Sequence, residues 1–461
     1  MKQMSLIKLA EACHGRLFAD QEKENTLVAS VTLDSRQVIQ DSLFIATRGE
    51  RVDGHDFIDD VYDKGALCVV SEQELTNPKG AYILVQNSFQ ALKDIAAYYR
   101  STLAVKVVGI TGSVGKTSTK EMIASVLEQK YRVLKTAGNF NNEVGLPLTI
   151  LNIREEHEIA VVEMGISDFG EMHRLSAIAK PDICVITNIG QCHLENLKSR
   201  EGILKAKSEI FDFLKEDGAI CLNGDDDLLS TIQEKNGIHP LFFGLDHKND
   251  IYATDIVSRG LEGTTCIIHQ GQEQMDAHIQ IPGGHMVINA LAATAVGTVL
   301  GLSAEQIKKG IYEAKTISGR SNLIKTDRGL MIDDCYNANP MSMRAAIDLL
   351  SYADTRRVAI LGDMFELGEN SDRLHYETGT YAAQSDVEVL ILIGENAKHM
   401  NQAVDDYCIS HADRICEKYY FPCRDAALKE LTEILKDQDT ILIKASHGMG
   451  FDQIVKTIKQ L

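Results

Sequence analysis

One segment constrains this chain more than any other. An apolar, β-branched run, AVKVVGI (residues 104–110), leads into Thr111-Gly112-Ser113-Val114-Gly115-Lys116-Thr117-Ser118, which opens the helix-forming stretch KTSTKEMIASVLEQK. Strand, glycine-rich turn and helix in that order bend backbone N–H groups inward around phosphate oxygens, and the helix N-terminus adds a favourable dipole. Lys116 is then placed to neutralise β/γ-phosphates, and the Thr117 hydroxyl to ligate Mg²⁺. The full phosphate-loop pattern has Gly where this chain has Ile110, so the loop is a T-G-x-x-G-K-T variant. An ordinary Gly-rich βα turn competes with this reading. The complete order of elements favours nucleotide phosphate.

At 461 residues the chain is long enough for two to four domains. Residues 1–100 alternate short apolar runs (Leu43–Ala46, Ala66–Val70, Tyr82–Val85) with turn residues and finish on an amphipathic segment, Ser88–Arg100. A small N-terminal α/β domain is expected there. Residues 101–315 carry the phosphate loop and further strand-like runs at Ile159–Val162, Ile183–Thr187 and Ala219–Leu222, read as parallel βαβ units. Residues 316–461 repeat the alternation at Val358–Leu361, Val389–Ile393 and Thr440–Ile443, as a Rossmann-like domain would. The expected fold class is thus α/β in three domains, with ligands at the carboxyl ends of parallel strands.

Composition narrows the function classes. Hydrophobic residues are 44% and charged residues 25%, so the chain is globular, and a net charge of −19 argues against nucleic acid as a partner. The most apolar stretch, Ile288–Leu302, is 15 residues interrupted by Asn289, two Thr and two Gly, too short to insert in a membrane. The opening MKQMSLIKLAEACHG lacks the order of a secretory signal, and the ten cysteines form no CxxC pair. Reduced thiols and a cytoplasmic location are expected.

Three residues stand out as candidates for metal or catalysis. Glu163 ends the run Ile159–Val162, at a strand end beside the phosphate loop if the sheet is parallel, and hard oxygens suit Mg²⁺. A solvated strand-end acid is the alternative. His193 lies in the loop NIGQCHLENL, where a lone histidine is equally compatible with a structural or exposed role. In the helical segment Ser199–Lys215, Ile203, Lys207, Ile210 and Leu214 share one stripe, whereas Lys205 falls with Glu201, Ser208, Glu209 and Asp212. A lysine on a buried stripe must be paired, neutralised or modified. Spacing alone leaves a snorkelling lysine or a buried ion pair open.

Taken together, the motifs resemble the Mur ligase family throughout the chain. The resemblance rests on Leu33-Asp34-Ser35-Arg36, Ser42-Leu43-Phe44 and Gly49-Glu50-Arg51-Val52-Asp53-Gly54-His55-Asp56-Phe57 near the start. Centrally it rests on TGSVGKTSTKEM, Gly138-Asn139-Phe140-Asn141-Asn142-Glu143-Val144-Gly145, VVEMG, the His193 loop and Lys207-Ser-Glu-Ile-Phe. At the end it rests on Gly319-Arg320, DDCYNANP (333–340), LGDMFELG (361–368) and Lys444-Ala445-Ser446. GNxNNxxG, DxYNANP and GDMxELG point more narrowly to the dipeptide-adding member.

The resemblance implies a ligase that uses ATP to join D-alanyl-D-alanine to UDP-N-acetylmuramoyl-tripeptide through an acyl phosphate, in peptidoglycan synthesis. It implies ATP contacts from Thr111 to Ser118 and from Asn289, Arg320 and Asp334. Two Mg²⁺ ions are implied, one at Thr117 and Glu163 and one at His193, with Lys207 as a carbamylated lysine serving the metal site. Lys116, Glu163, His193 and Lys207 are its catalytic set. Ser35, Arg36, Asp53, Gly54, His55, Asn139 and Asn142 are implied for the UDP-substrate, and Asn337, Asn339, Lys444 and Ser446 for the acceptor and dipeptide. A monomer is expected. The resembled family usually has Asn where this chain has Met286, and often Arg where it has His447. Another member of the superfamily, an amino-acid-adding Mur ligase or folylpolyglutamate synthase, is the first competing reading, but the DNPR-type signature of the diaminopimelate- or lysine-adding enzyme is absent. A non-catalytic nucleotide switch is the second, and it has no need to keep Glu163, His193 and Lys207 together.

Overall fold

The computed structural model describes residues 1, 4–49, 52–411 and 417–460; Glu50 and Arg51 of the motif spanning residues 49–57 lie outside them. Three sheets follow one another along the chain. The first has five strands in the order Arg16–Phe18, Ala81–Leu84, Ala66–Ser71, Ser42–Ile45, Ser30–Thr32, all parallel except the antiparallel pair at the Arg16–Phe18 edge. The helix Ser88–Ser101 lies in the position its periodicity predicts, and it ends by locking onto the next unit. Tyr99, buried, donates to the carbonyl of Ile153 at 2.6 Å, and Arg100 donates to that of Ala179 at 2.7 Å and to Asp182. One apolar core therefore runs from the N-terminal sheet to a face of the central one.

The central sheet has nine strands. Lys106–Thr111 lies between Ile159–Glu163 and Ile183–Ile186, all parallel, with Val133–Lys135 on one side and Ala219–Asn223 and Leu241–Gly244 on the other. Here the expected βαβ alternation needs a correction. From Ile251 to Ile279 the chain makes no helical crossover but an antiparallel meander, Ile251–Ser258, Thr264–Gln270 and Glu273–Ile279. The reason is local. Thr264–Gln270 has the period-two burial of a strand covered on one side, and its neighbour is reached through a tight turn at Gly271 (φ +58°), too short for a crossover.

The most apolar stretch, expected to be too short for a membrane span, lies in the buried helix His285–Val299, packed against the helix Lys116–Leu127. Among the described residues no helix is long and apolar enough to cross a membrane. The third sheet has the order Asn322–Thr326, Gly329–Asp333, Asp439–Lys444, Arg357–Gly362, Val389–Ile393, Glu417–Phe421, parallel apart from its first pair. Parallel pairing carries the carboxyl ends of three of these strands, and so Asp334, Lys444 and the loop 363–367, to one edge. The nine described cysteines are free; Cys68 and Cys184 are buried, and burial pushes both thiols up.

Candidate active site

The phosphate loop is shaped by two glycines and a clamp. Gly112 (φ +152°) and Gly115 (φ +83°) take backbone conformations that L side chains rarely adopt, and Gly115 precedes the helix Lys116–Leu127 directly. The next parallel strand supplies the clamp. Asn188 accepts from the Val114 N–H at 2.9 Å and donates to the Val114 carbonyl at 2.9 Å, while the Thr187 hydroxyl donates to the same carbonyl at 2.7 Å. Neither residue was singled out from the sequence, because only the strand pairing brings them to the loop. A Cβ on Gly112 would collide with the Thr187 hydroxyl. Gly112→Ala is therefore expected to weaken ATP binding about tenfold or more, from strain of about 1–3 kcal/mol, with far-UV circular dichroism unchanged. Calorimetric titration with a non-hydrolysable ATP analogue reads this.

Lys116 folds back onto the loop, donating to the Gly112 carbonyl at 2.9 Å. Register pairs Ile110 with Glu163, so the carboxylate ends its strand beside the loop as expected. Glu163 is buried; one oxygen accepts from the Thr117 hydroxyl at 2.9 Å and the other from Asn141 Nδ2 at 2.8 Å. Because Thr117 donates its proton to Glu163, its oxygen lone pairs face a cation unhindered. From the GNFNN segment the sequence suggested Asn139 and Asn142, yet Asn141 is the one that reaches Glu163. Asn142 instead accepts from the N–H groups of Val144 and Gly145, and Asn139 meets Tyr336.

Lys207 lies on the buried stripe and Lys205 is exposed, as the spacing required. The helix is shorter than expected, Arg200–Ser208, followed by a tighter turn at Glu209–Phe211. Ser176 Oγ and Cys184 Sγ both take the carbonyl of Ile210, drawing it away from a helical partner. Lys207 is 1% exposed, and its ammonium has no hydrogen bond or ion pair among the described residues. Burial, then the Lys116 charge, brings its pKa down to about 8.

The C-terminal domain closes the other side. Arg320 stacks on Tyr336 at 4.0 Å, and Ser118, Glu121, Met286 and Arg320 line a small pocket beside the loop helix. Asn289 accepts from Thr119 Oγ1 at 2.9 Å and donates to Met286 Sδ at 3.2 Å, so Met286 helps to orient it. Buried Lys444 donates to Asp334 at 2.6 Å and to the Asn337 carbonyl at 3.0 Å, which brings these three together. Asn339 and Ser446 have scaffold duties. Asn339 caps the helix Pro340–Leu350, and Ser446 Oγ accepts from the Phe365 N–H at 2.9 Å. His193 and Glu366 meet across the cleft at 2.7 Å, and that contact holds the Glu366 carboxyl below the usual range.

The residues suggested for the UDP end gather at one edge of the N-terminal sheet. Asp34 pairs with Arg36 through two bonds of 2.8 and 2.7 Å, which holds its carboxyl at about 2, and Ser35 adjoins them in the turn. Gly54 sits so close to Thr47 that a Cβ would lie 2.8 Å from the Thr47 nitrogen. His55 Nε2 accepts from the Glu72 N–H at 3.1 Å, so Nδ1 carries the proton given to Asp53 at 2.6 Å.

Two donors shut off from solvent, Thr111 Oγ1 and Arg320 Nε, have no hydrogen-bond partner among the described residues. Such donors, with Lys116 and the inward N–H groups of the loop, fit a polyphosphate. The described residues contain no group of three His, Cys, Asp or Glu side chains that could hold a metal ion, but Thr117 and Glu163 are the hard oxygen donors Mg²⁺ takes, and it takes few from protein. A surface cleft of about 810 Å³ lies elsewhere, around Lys106, Tyr131 and Arg154 at the amino ends of the central strands.

Comparison with known proteins places this geometry. Three family models match in succession: "Mur ligase family, catalytic domain" over residues 27–100, "Mur ligase middle domain" over 110–297, and "Mur ligase, glutamate ligase domain" over 319–447. The UDP-N-acetylmuramoyl-tripeptide--D-alanyl-D-alanine ligase of Bacillus subtilis is 40% identical, over 99% of both chains. This chain belongs to the Mur ligase family. Among its solved members, MurF from Acinetobacter baumannii superposes with a TM-score of 0.88 at 30% identity, over 99% of both chains. MurF from Thermotoga maritima, solved in complex with ADP, gives 0.79 at 29% identity, over 94% of this chain and 97% of that one. The three-sheet architecture is thus a Mur ligase architecture.

Proposed function

We propose that this Mur ligase joins D-alanyl-D-alanine to UDP-N-acetylmuramoyl-tripeptide at the expense of ATP, giving the UDP-muramoyl-pentapeptide of peptidoglycan synthesis. The observation that carries the reading is the Thr117–Glu163 pair beneath the phosphate loop, with Lys116 and the unpaired Lys207 beside it and the C-terminal domain across the cleft. The tripeptide carboxylate is phosphorylated by ATP, the dipeptide amine attacks the acyl phosphate, and phosphate leaves a tetrahedral intermediate. Two anions must first be brought together, so cationic charge and in-line positioning carry most of the catalysis.

Lys116 and the loop N–H groups hold the β/γ-phosphates, with Arg320 adding charge from the C-terminal domain. Thr117 and Glu163 hold one Mg²⁺ and His193 a second; bound there, the cations neutralise phosphate charge and polarise the transferred group. Lys207, with its depressed pKa, keeps an amine fraction able to add CO₂. Formation of the N–C bond releases one amine proton to solvent, and the resulting carbamate would replace a buried cation with a carboxylate that serves the metal site. Asn289 and Asp334 orient the nucleoside side. The edge carrying Ser35, Arg36, Asp53, Gly54 and His55 receives the uridine diphosphate, with Asn139 and Asn142 along the substrate path, and Asn337, Asn339, Lys444 and Ser446 shape the dipeptide side. All come from one chain, so a monomer suffices, acting in the cytoplasm. The purified protein with ATP, Mg²⁺, the muramoyl tripeptide and D-alanyl-D-alanine should add one dipeptide per ADP formed, read by mass spectrometry. Incorporation of a single amino acid, or none, overturns the assignment.

A further inference from the structure

The contact between His193 and Glu366 is built from both lobes with unusual backbone on each side. His193 (φ +49°) and Glu366 (φ +62°) are both left-handed, which costs a non-glycine residue free energy and persists where surrounding structure holds it. On the C-terminal side the hold is visible residue by residue. Asp363 Oδ1 accepts from the Ala397 N–H at 2.7 Å, the Met364 N–H donates to His375 at 2.9 Å, and the Phe365 N–H donates to Ser446 at 2.9 Å. Three successive residues are thus tied to three separate parts of the domain, and Glu366 is presented at the tip. On the facing side, His193 begins the short helix Leu194–Leu197, against which the turn at Gly368 rests near Glu195. His193 Nδ1 lies 2.7 Å from Glu366 Oε2.

An ionised carboxylate only accepts, so the proton of a neutral His193 must sit on Nδ1 and the Nε2 lone pair is left for a ligand. A carboxylate behind a metal-binding histidine fixes ring orientation and tautomer in just this way. We infer that Glu366 is a positioning residue, supplied by the C-terminal domain, that selects the His193 tautomer and makes the second cation site complete only when the two domains meet. The inference rests on the reading of His193 as a cation ligand. It assigns the GDMFELG loop a task in cation binding, beyond its packing in the C-terminal core.

Manganese binding to the full-length protein, followed by electron paramagnetic resonance with a non-hydrolysable ATP analogue and the muramoyl tripeptide present, tests it without turnover. Wild type should hold two ions and His193→Ala one. Glu366→Ala should weaken the second ion about 10–100-fold while the first ion and the nucleotide bind as in wild type. Glu366→Gln retains an acceptor oxygen and should recover most of the loss, a rescue that a general packing defect would not give. Wild-type affinity for both ions in Glu366→Ala, with His193→Ala down to one, overturns the role of Glu366 alone. Equal stoichiometry in wild type and His193→Ala instead overturns the His193 reading, and the inference with it. Parallel loss of both ions and nucleotide in Glu366→Ala also overturns it.

Discussion

Glu163→Gln should lower ligase turnover by about a thousandfold at saturating ATP and Mg²⁺, while the protein remains folded. The substitution preserves shape but removes the buried carboxylate beneath the phosphate loop, and with it the charge that balances a divalent cation. It also disturbs the local bonding. Both Glu163 oxygens accept, from Thr117 and from Asn141, and an amide in their place turns one acceptor into a donor, which either faces the Asn141 donor or takes a lone pair of Thr117 Oγ1. Initial rates of ADP release across a Mg²⁺ titration give the test. The thermal midpoint, measured alongside, separates loss of chemistry from loss of fold. A variant within tenfold of wild type would remove Glu163 from the cation site.

Lys207→Ala should cost about two to three orders of magnitude in turnover, and short carboxylic acids added to the variant should restore part of it. Wild-type activity should fall when CO₂ and bicarbonate are stripped from the buffer and return when they are restored. Unaltered turnover in Lys207→Ala would remove the carbamate from the mechanism. The same lysine makes a thermodynamic prediction with a definite sign. Its pKa is depressed from 10.5 to about 8 in the folded protein, so between these values the unfolded chain binds the extra proton and stability rises with pH. Below about pH 8 the buried ammonium is a cost on the order of 3 kcal/mol. In CO₂-free buffer, Lys207→Met should therefore raise denaturant stability at pH 7, and its advantage should shrink as pH climbs from 8 towards 10.5.

Local pattern was enough wherever the deciding information lies within a few residues. The run 104–110, the two loop glycines and Lys116-Thr117 specify the phosphate loop because strand, turn and helix preferences act over one contiguous stretch. The same holds for Lys207 against Lys205, since a helix of 3.6 residues per turn sends them to different faces even when it stops early at Ser208. Glu163 could be placed because a parallel register puts its strand end beside the loop.

What tertiary structure alone decided involves partners far apart in sequence. Asn188 on Val114, Asn141 on Glu163, Tyr336 against Asn139 and Glu366 on His193 join segments whose spacing carries no signal. Their side chains are ordinary loop residues until sheet pairing and domain contact bring them together. Likewise, the meander from Ile251 to Ile279 follows apolar runs of strand type whose pairing partner, parallel or antiparallel, is set by the length of the connecting turn and by which face a helix covers. Periodicity in a chain fixes which side chains face inward; only the folded contacts decide what each of them meets there.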